Sequence, residues 1–223
     1  MKIIPQVFFV FFLTLSTSAF NAFAQPNDAA DHAAIRSELE SIYKTDQDMR
    51  MEFNTMQATA RVKGVDVDKA ASAQLWKRIG EQDRVNQKRV TEMIDKYGWP
   101  KKSLVGLQAA TAAFFVIQHA ELDVQLKYVE RMREAVMAGE ASKQNLALLE
   151  DRLLIRQGKP QRYGSQVDMQ NGVGLKPTED EANLDARRAT MGLGPICEYL
   201  AYFVKTGGKI VYPPCVKEVL HSN

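Results

Sequence analysis

Apolar side chains recur along this chain at spacings of three, four and seven residues, over stretches too long to be strands. From Ala34 to about Ala60 the repeating positions are Ile35, Leu39, Ile42, Met49, Phe53 and Met56, one face of an amphipathic helix, and Gly64 breaks the pattern. A second helix is predicted from about Asp68 to Lys96 through Leu75, Ile79, Val85, Val90, Met93 and Ile94. It stops at Gly98-Trp99-Pro100, because proline cannot continue a helix and restricts the residue before it. Ser103 is the expected N-cap of a third helix, which ends near His119. That helix is apolar nearly all round, from Leu104 and Val105 to Val116 and Ile117. Such a helix belongs in the middle of a bundle, and its alanines let neighbours approach closely. A fourth helix covers about Leu122 to Ala138 and ends at Gly139, and a fifth runs from Ser142 to Gln157 before Gly158-Lys159-Pro160.

Residues 158–180 lose the period and are rich in Gly, Gln and Asp. A loop of that length is usually functional or disordered. Its aromatic and densely packed polar side chains point to an ordered, functional segment. A short helix follows around Glu181 to Thr190, another covers Ile196 to Lys205, and Lys209 to Tyr212 reads as a short extended piece. Strand signals are nearly absent and there is no internal repeat. The expected fold is therefore mainly α: a single-domain helical bundle of five or six helices with an irregular, loop-rich C-terminal third.

The N-terminus changes the picture of where this bundle works. Lys2 precedes an apolar run from Ile3 to Leu15, and Ala22-Phe23-Ala24 stands before Gln25. This is the layout of a secretory signal peptide over residues 1–24, cleaved after Ala24. Its apolar run falls short of the roughly 20 residues of a membrane span, and no cysteine follows to carry a lipid. The expectation is an exported protein, in the periplasm, with no stable membrane insertion after cleavage. The domain proper then covers 25–195, and 196–223 forms a tail. The formal net charge of +2 over 223 residues leaves no electrostatic footprint for nucleic acid. Cys197 and Cys215 are the only cysteines. An even count in an exported chain favours a disulfide, here tying the tail, and the absence of C-x-x-C spacing argues against a redox role.

Candidate chemistry concentrates in Gln161-Arg162-Tyr163-Gly164-Ser165-Gln166. Glutamine and tyrosine both donate and accept hydrogen bonds, and arginine presents a planar donor fork. Polar groups this dense around one glycine, just after an amphipathic helix, suit a pocket for amide, sugar or peptide groups. They equally suit a loop that satisfies its own backbone.

Other elements line up with this loop. They are Asp46-Gln47 with Arg50, Asp83 with Asn86, Tyr97-Gly98-Trp99-Pro100 with Val105-Gly106, Gln118-His119-Ala120 with Asp123, Asp151-Arg152, and Arg187-Arg188 with Gly192-Leu193. In this combination the chain resembles a bacterial family of uncharacterised proteins, domain of unknown function 6624, over most of its length up to about Pro195. Ser165 stands where that family more usually has Thr, which keeps the hydroxyl. The resemblance implies a shared fold and a shared site at these positions, and no particular reaction. It leaves the Cys197–Asn223 tail outside the common core.

Each constellation has a functional and a structural account. His119 ends the buried helix, with Asp123 four residues on; if the helix continues, the two share a face and the carboxylate orients the imidazole as a general base requires. Alternatively His119 is a capping cation at a helix C-terminus. Asp46 and Arg50 form a surface ion pair, or face inward and hold the 161–166 loop. Arg152 clamps an anion, or braces the 158–180 loop through its carbonyls. Arg187 or Arg188 binds an anion, and one of them pairs with Asp151 or Asp185. Trp99, before a proline at a helix junction, reads as core.

No H-E-x-x-H, G-x-S-x-G or phosphate-cradling glycine loop is present, and one central histidine is a poor basis for zinc. No metal or cofactor is therefore expected. Three functions stay open. The leading one is a binding or interaction domain for a small molecule or cell-envelope component, with a pocket of His119, Arg152, Gln161, Tyr163, Gln166 and Arg188 braced by Asp46 and Arg50. The second is an envelope hydrolase or transferase, with His119 as base, Asp123 or Asp151 orienting it, and Arg152 stabilising negative charge. The third is a structural domain whose polar cluster is an internal brace.

Overall fold

A computed structural model describes residues 29–204 and 209–216. The expected signal peptide, residues 1–24, lies outside the described residues. The chain is mainly helical. Two long antiparallel helices, α1 (Ala29–Lys63) and α2 (Lys69–Tyr97), are followed by a short α3 (Lys102–Val105) and then α4 (Leu107–His119), α5 (Leu122–Met137) and α6 (Lys143–Arg156). The C-terminal third carries a two-stranded antiparallel ribbon, β1 (Val167–Asp168) with β2 (Gly174–Leu175). A 3-10 turn (Glu181–Asn183) leads into α7 (Leu184–Thr190), and α8 (Ile196–Val204) follows.

The boundaries follow local chemistry. Asp68 caps α2 by accepting from the backbone N–H groups of Ala70 and Ala71 at 2.9 and 3.1 Å, which satisfies donors the helix leaves orphaned. Gly98, at φ +78°, closes the same helix in a conformation that side-chain-bearing residues rarely adopt. The expected third helix is not continuous. Gly106 sits at φ +87° and divides it into α3 and α4. Ser103 is therefore not an N-cap: it lies inside α3 and its hydroxyl donates to Glu140 at 2.8 Å. The carbonyls freed at the break are taken by α1, whose Arg36 donates from Nε to Val105 at 2.8 Å and from Nη2 to Leu104 at 3.2 Å.

The apolar helix does lie at the centre. α4 packs against α1, α2, α5 and α6. Ala109, Ala113 and Ile117 are fully buried there, against Leu39 and Ile42 of α1, Val90 and Ile94 of α2, Met132 of α5 and Leu149 of α6. Each large aliphatic side chain buried this way contributes about 1.5–3 kcal/mol. Trp99 is buried in this core, as its place before a proline implied. Val85, on the predicted apolar face of α2, is instead exposed: the buried face runs through Leu75, Ile79, Asn86, Val90 and Ile94, and Val85 lies off it.

A second, smaller core lies under the C-terminal third, made of Val173, Leu184, Ile196, Leu200, Tyr212 and Cys215. Lys209 to Tyr212 is extended as expected and bridges Val173 through Val173 N–H to Lys209 O and Val211 N–H to Val173 O. Cys197 and Cys215 form the expected disulfide. It fastens the start of α8 to the turn that follows this extended segment, so the described part of the tail packs with the fold. No helix among the described residues is long and apolar enough to cross a membrane.

Two outcomes are expected. Replacing both cysteines by serine lowers stability by about 2–4 kcal/mol in a chemical melt, and amide exchange accelerates first in α8. Burial, followed by the hydrogen bond with Glu181, pushes the Tyr212 phenol up to about 12. The folded state then holds this proton more tightly than the unfolded chain, so its stabilisation is complete below the ordinary tyrosine value of about 10 and is lost as pH rises through the folded value. Tyrosinate absorbance of the unmodified protein against Tyr212→Phe reads this directly.

Candidate functional site

The structure divides the predicted pocket into two halves with different roles. One half is a brace. Asp151, in the middle of α6, is fully buried, and its carboxylate accepts backbone N–H bonds from Arg162 (2.8 Å), Tyr163 (3.0 Å) and Ser165 (2.8 Å). Gly164 allows this wrap: it sits at φ +66°, and a Cβ there would meet Ile196 at 3.2 Å and Leu184 at 3.3 Å. Burial pushes the Asp151 carboxyl up, while the three N–H donors pull it down.

Gln161, also fully buried, completes the brace. Its Nε2 donates to the carbonyls of Gln166 (2.9 Å) and Lys176 (3.1 Å), and its Oε1 accepts from Gln166 N–H at 2.7 Å. Tyr163 is buried and its carbonyl accepts from Arg188 Nη1 at 2.7 Å. Arg188 is buried too, donates from Nε to Gly194 O at 2.7 Å, and lies over the Tyr199 ring. Neither arginine of the 187–188 pair bonds Asp151 or Asp185. Arg187 bonds Asp180 and the carbonyl of Arg162, and Asp185 instead accepts from Ile196 N–H. Gln166 is half-buried, with its amide on Ser165 Oγ at 3.1 Å.

The other half gathers at the C-terminal end of α4. His119 is 21 % exposed there, and its Nδ1 lies 3.3 Å from Oδ1 of Asp46, a carboxylate buried on α1. A carboxylate only accepts, so Nδ1 is the donor in this contact, which leaves Nε2 as the second ring nitrogen facing away from Asp46. Asp123 does not take part. Ala120 adopts an extended conformation and ends α4, which destroys the i, i+4 relation. Asp123 is exposed, and its carboxylate accepts from Val124 N–H at 2.9 Å. Asp151 does not orient His119 either, since its oxygens are committed to the loop.

Around this dyad the charges are unevenly matched. Arg50 bonds Asp46 at 2.9 Å through Nη1 and both oxygens of Asp83 at 2.9 and 3.0 Å through Nη2, so Asp46 and Arg50 face inward but not toward the 161–166 loop. Arg156 donates to the carbonyl of Ala120 at 2.7 Å. Arg152 is half-buried, and its guanidinium has no hydrogen-bond partner among the described residues; Nε is buried and unpaired. It does not brace the 158–180 loop. Burial, then the charges of Arg156 and Arg50, lower its pKa, and Tyr199 pulls the other way. Gln118 Oε1, Asn86 Nδ2 and Gln125 Oε1 are also buried without partners among the described residues. Unpaired buried groups cost about 1–3 kcal/mol each and are uncommon in folded proteins. They occur here beside His119, one turn beyond Asp83, and on α5, where Gln125 Nε2 bonds the Gln118 carbonyl. Among the described residues no three His, Cys, Asp or Glu side chains form a cluster able to hold a metal ion.

Sequence reasoning missed Tyr199 and Arg156. Tyr199 lies in the tail assigned outside the common core, yet its hydroxyl donates to Ser165 O at 2.9 Å and it neighbours both Arg188 and Arg152. The disulfide at Cys197, two residues before it, was the one hint that this segment is held in place.

The chain matches a family of unknown function (DUF6624) over residues 35–211. The match runs past residue 195 into the tail, in keeping with the packing of α8. No curated protein and no solved structure matches.

Replacing Asp151 by Asn leaves one acceptor oxygen and sets an NH2 group against N–H donors. The expected cost is about 1–3 kcal/mol in a denaturant melt. Asp123→Asn, at an exposed position, is expected to stay within about 0.5 kcal/mol.

Proposed function

The chain belongs to the DUF6624 family, and for this member we propose that the end of α4 binds a small ligand through an anionic carboxylate or phosphate oxygen, with Arg152 as the anchor and His119 Nε2 alongside. The carrying observation is the half-buried guanidinium of Arg152, which lacks both a hydrogen-bond partner and a carboxylate within bonding distance among the described residues. A cation held away from water is costly until an anion or acceptor meets it. Arg152 differs from its neighbours here: Arg50 is matched by two carboxylates and Arg156 by a carbonyl. Arginine suits planar or tetrahedral oxyanions because its donors form a fork. The brace built on Asp151 and Gln161 supports this reading indirectly, since it fixes α6 and the loop on either side of Arg152. On the N-terminal signal pattern the protein is read as exported and periplasmic, so a cell-envelope component is the first ligand class to test.

The Asp46–His119 contact favours a second reading. A buried carboxylate on Nδ1 with Nε2 free is the arrangement a general base needs. In a hydrolase or transferase, His119 takes a proton from water or an acceptor hydroxyl, Asp46 positions the ring, and Arg152 stabilises the developing oxyanion.

Inorganic phosphate and N-acetylated amino acids are the starting probes, followed by envelope glycan and peptide fragments. In a thermal-shift titration a binding probe raises the midpoint by mass action. Arg152→Gln is expected to weaken that effect about tenfold or more, and Asp123→Asn to leave it unchanged. Equal binding by Arg152→Gln rules out the anchor. Turnover of a bound fragment that disappears in His119→Gln while binding persists selects the catalytic reading.

A further inference from the structure

A concavity of about 640 Å³ lies at the end of α4 away from His119, between the start of that helix, the end of α5, the first turn of α6 and residues 189–192. The His119 site makes no use of it. Its accessible apolar lining is formed by Leu107, which is exposed, and by the half-buried Val136 and Met191, over the buried core side chains Trp99, Phe114 and Met132. One side of its rim is cationic: Lys102 and Lys143 are both exposed and both line the groove, and Asn145 offers a half-buried amide beside them. The nearby acid, Glu140, is already engaged, accepting from Ser103 N–H at 3.0 Å and from the Ser103 hydroxyl at 2.8 Å. Those bonds lower its pKa and keep it ionised, and the two lysines still leave the rim with an excess of positive charge. The N-terminus of α6, capped by Ser142 onto Asn145 N–H at 3.2 Å, adds the positive end of a helix dipole to the same side.

The far wall is fixed. Gly192 adopts φ +70°, and a Cβ there would come within 2.8 Å of Gln144 Nε2. The same amide donates to the Gly192 carbonyl at 3.3 Å, which links the residues after α7 to the start of α6.

An apolar floor with one cationic rim selects an amphipathic monoanion. We propose that this groove binds a small amphiphile whose alkyl chain lies on Leu107, Val136 and Met191 and whose carboxylate meets Lys102, Lys143 and Asn145. It is a second ligand site, independent of the one at His119.

The test is titration calorimetry of the full chain with laurate, with dodecanol and acetate as chain-only and head-only controls. Laurate is expected to bind, and both controls to bind at least about tenfold more weakly. The Lys102→Glu, Lys143→Glu double variant, altered only at exposed positions, is expected to weaken laurate by about tenfold or more. Thr111→Phe, which fills the groove, is expected to remove binding, and His119→Ala to leave it unchanged. No laurate binding, dodecanol binding as tightly as laurate, or undiminished laurate binding by the lysine variant would overturn the proposal.

Discussion

One buried carboxylate organises the C-terminal half of this protein. Asp151 projects from α6 and accepts from three N–H groups of one loop, those of Arg162, Tyr163 and Ser165. Those donors have no strand or helix to satisfy them, so without an acceptor the loop could not be buried. Once it is fixed, its outward-facing carbonyls become acceptors in turn: Tyr163 O for Arg188 and Ser165 O for Tyr199. Through these two bonds α7 and α8 are positioned, and the second core of Leu184, Ile196 and Leu200 closes beneath them. The disulfide then pins the far end of the same unit.

The brace also occupies the densest polar segment of the chain. Asp151, Gln161 and Arg188 are all buried with their hydrogen-bonding capacity directed at backbone. A group already engaged by backbone has little left for a ligand. Arg152, next to Asp151 on α6, borders the brace without belonging to it, and its guanidinium has no hydrogen-bond partner among the described residues. Rigid support next to unpaired polar atoms is the arrangement expected of a preorganised site, where the cost of ordering is met during folding and not at binding.

Much of the fold was legible in the residues. The period of Ile35, Leu39 and Ile42 marks a buried face, and all-round apolarity places α4 at the centre. An even pair of cysteines behind a signal-like N-terminal pattern predicts the bond between them. The site was legible only as an inventory. Asp46, Arg50, His119 and Arg152 stood out individually, but the pairings proposed along the chain, His119 with Asp123 and Arg152 with the loop, are not the ones that form. Gly106 carried the signal for the break in the third helix, since only a residue without a side chain accepts φ +87° cheaply.

The sequence by itself determined that the chain is mainly helical, most of the faces its helices bury, and which cysteines pair. These depend on local propensity and on a periodicity that repeats within a few residues. Only the tertiary structure decided that Asp46, 73 residues away in sequence, is the partner of His119, that Asp151 is a loop anchor, and that Arg152 is left with no partner among the described residues. The physical reason is that hydrogen bonds and ion pairs between distant side chains depend on how helices are rotated and stacked against one another. That packing is settled by the whole core at once, and no short stretch of sequence contains it.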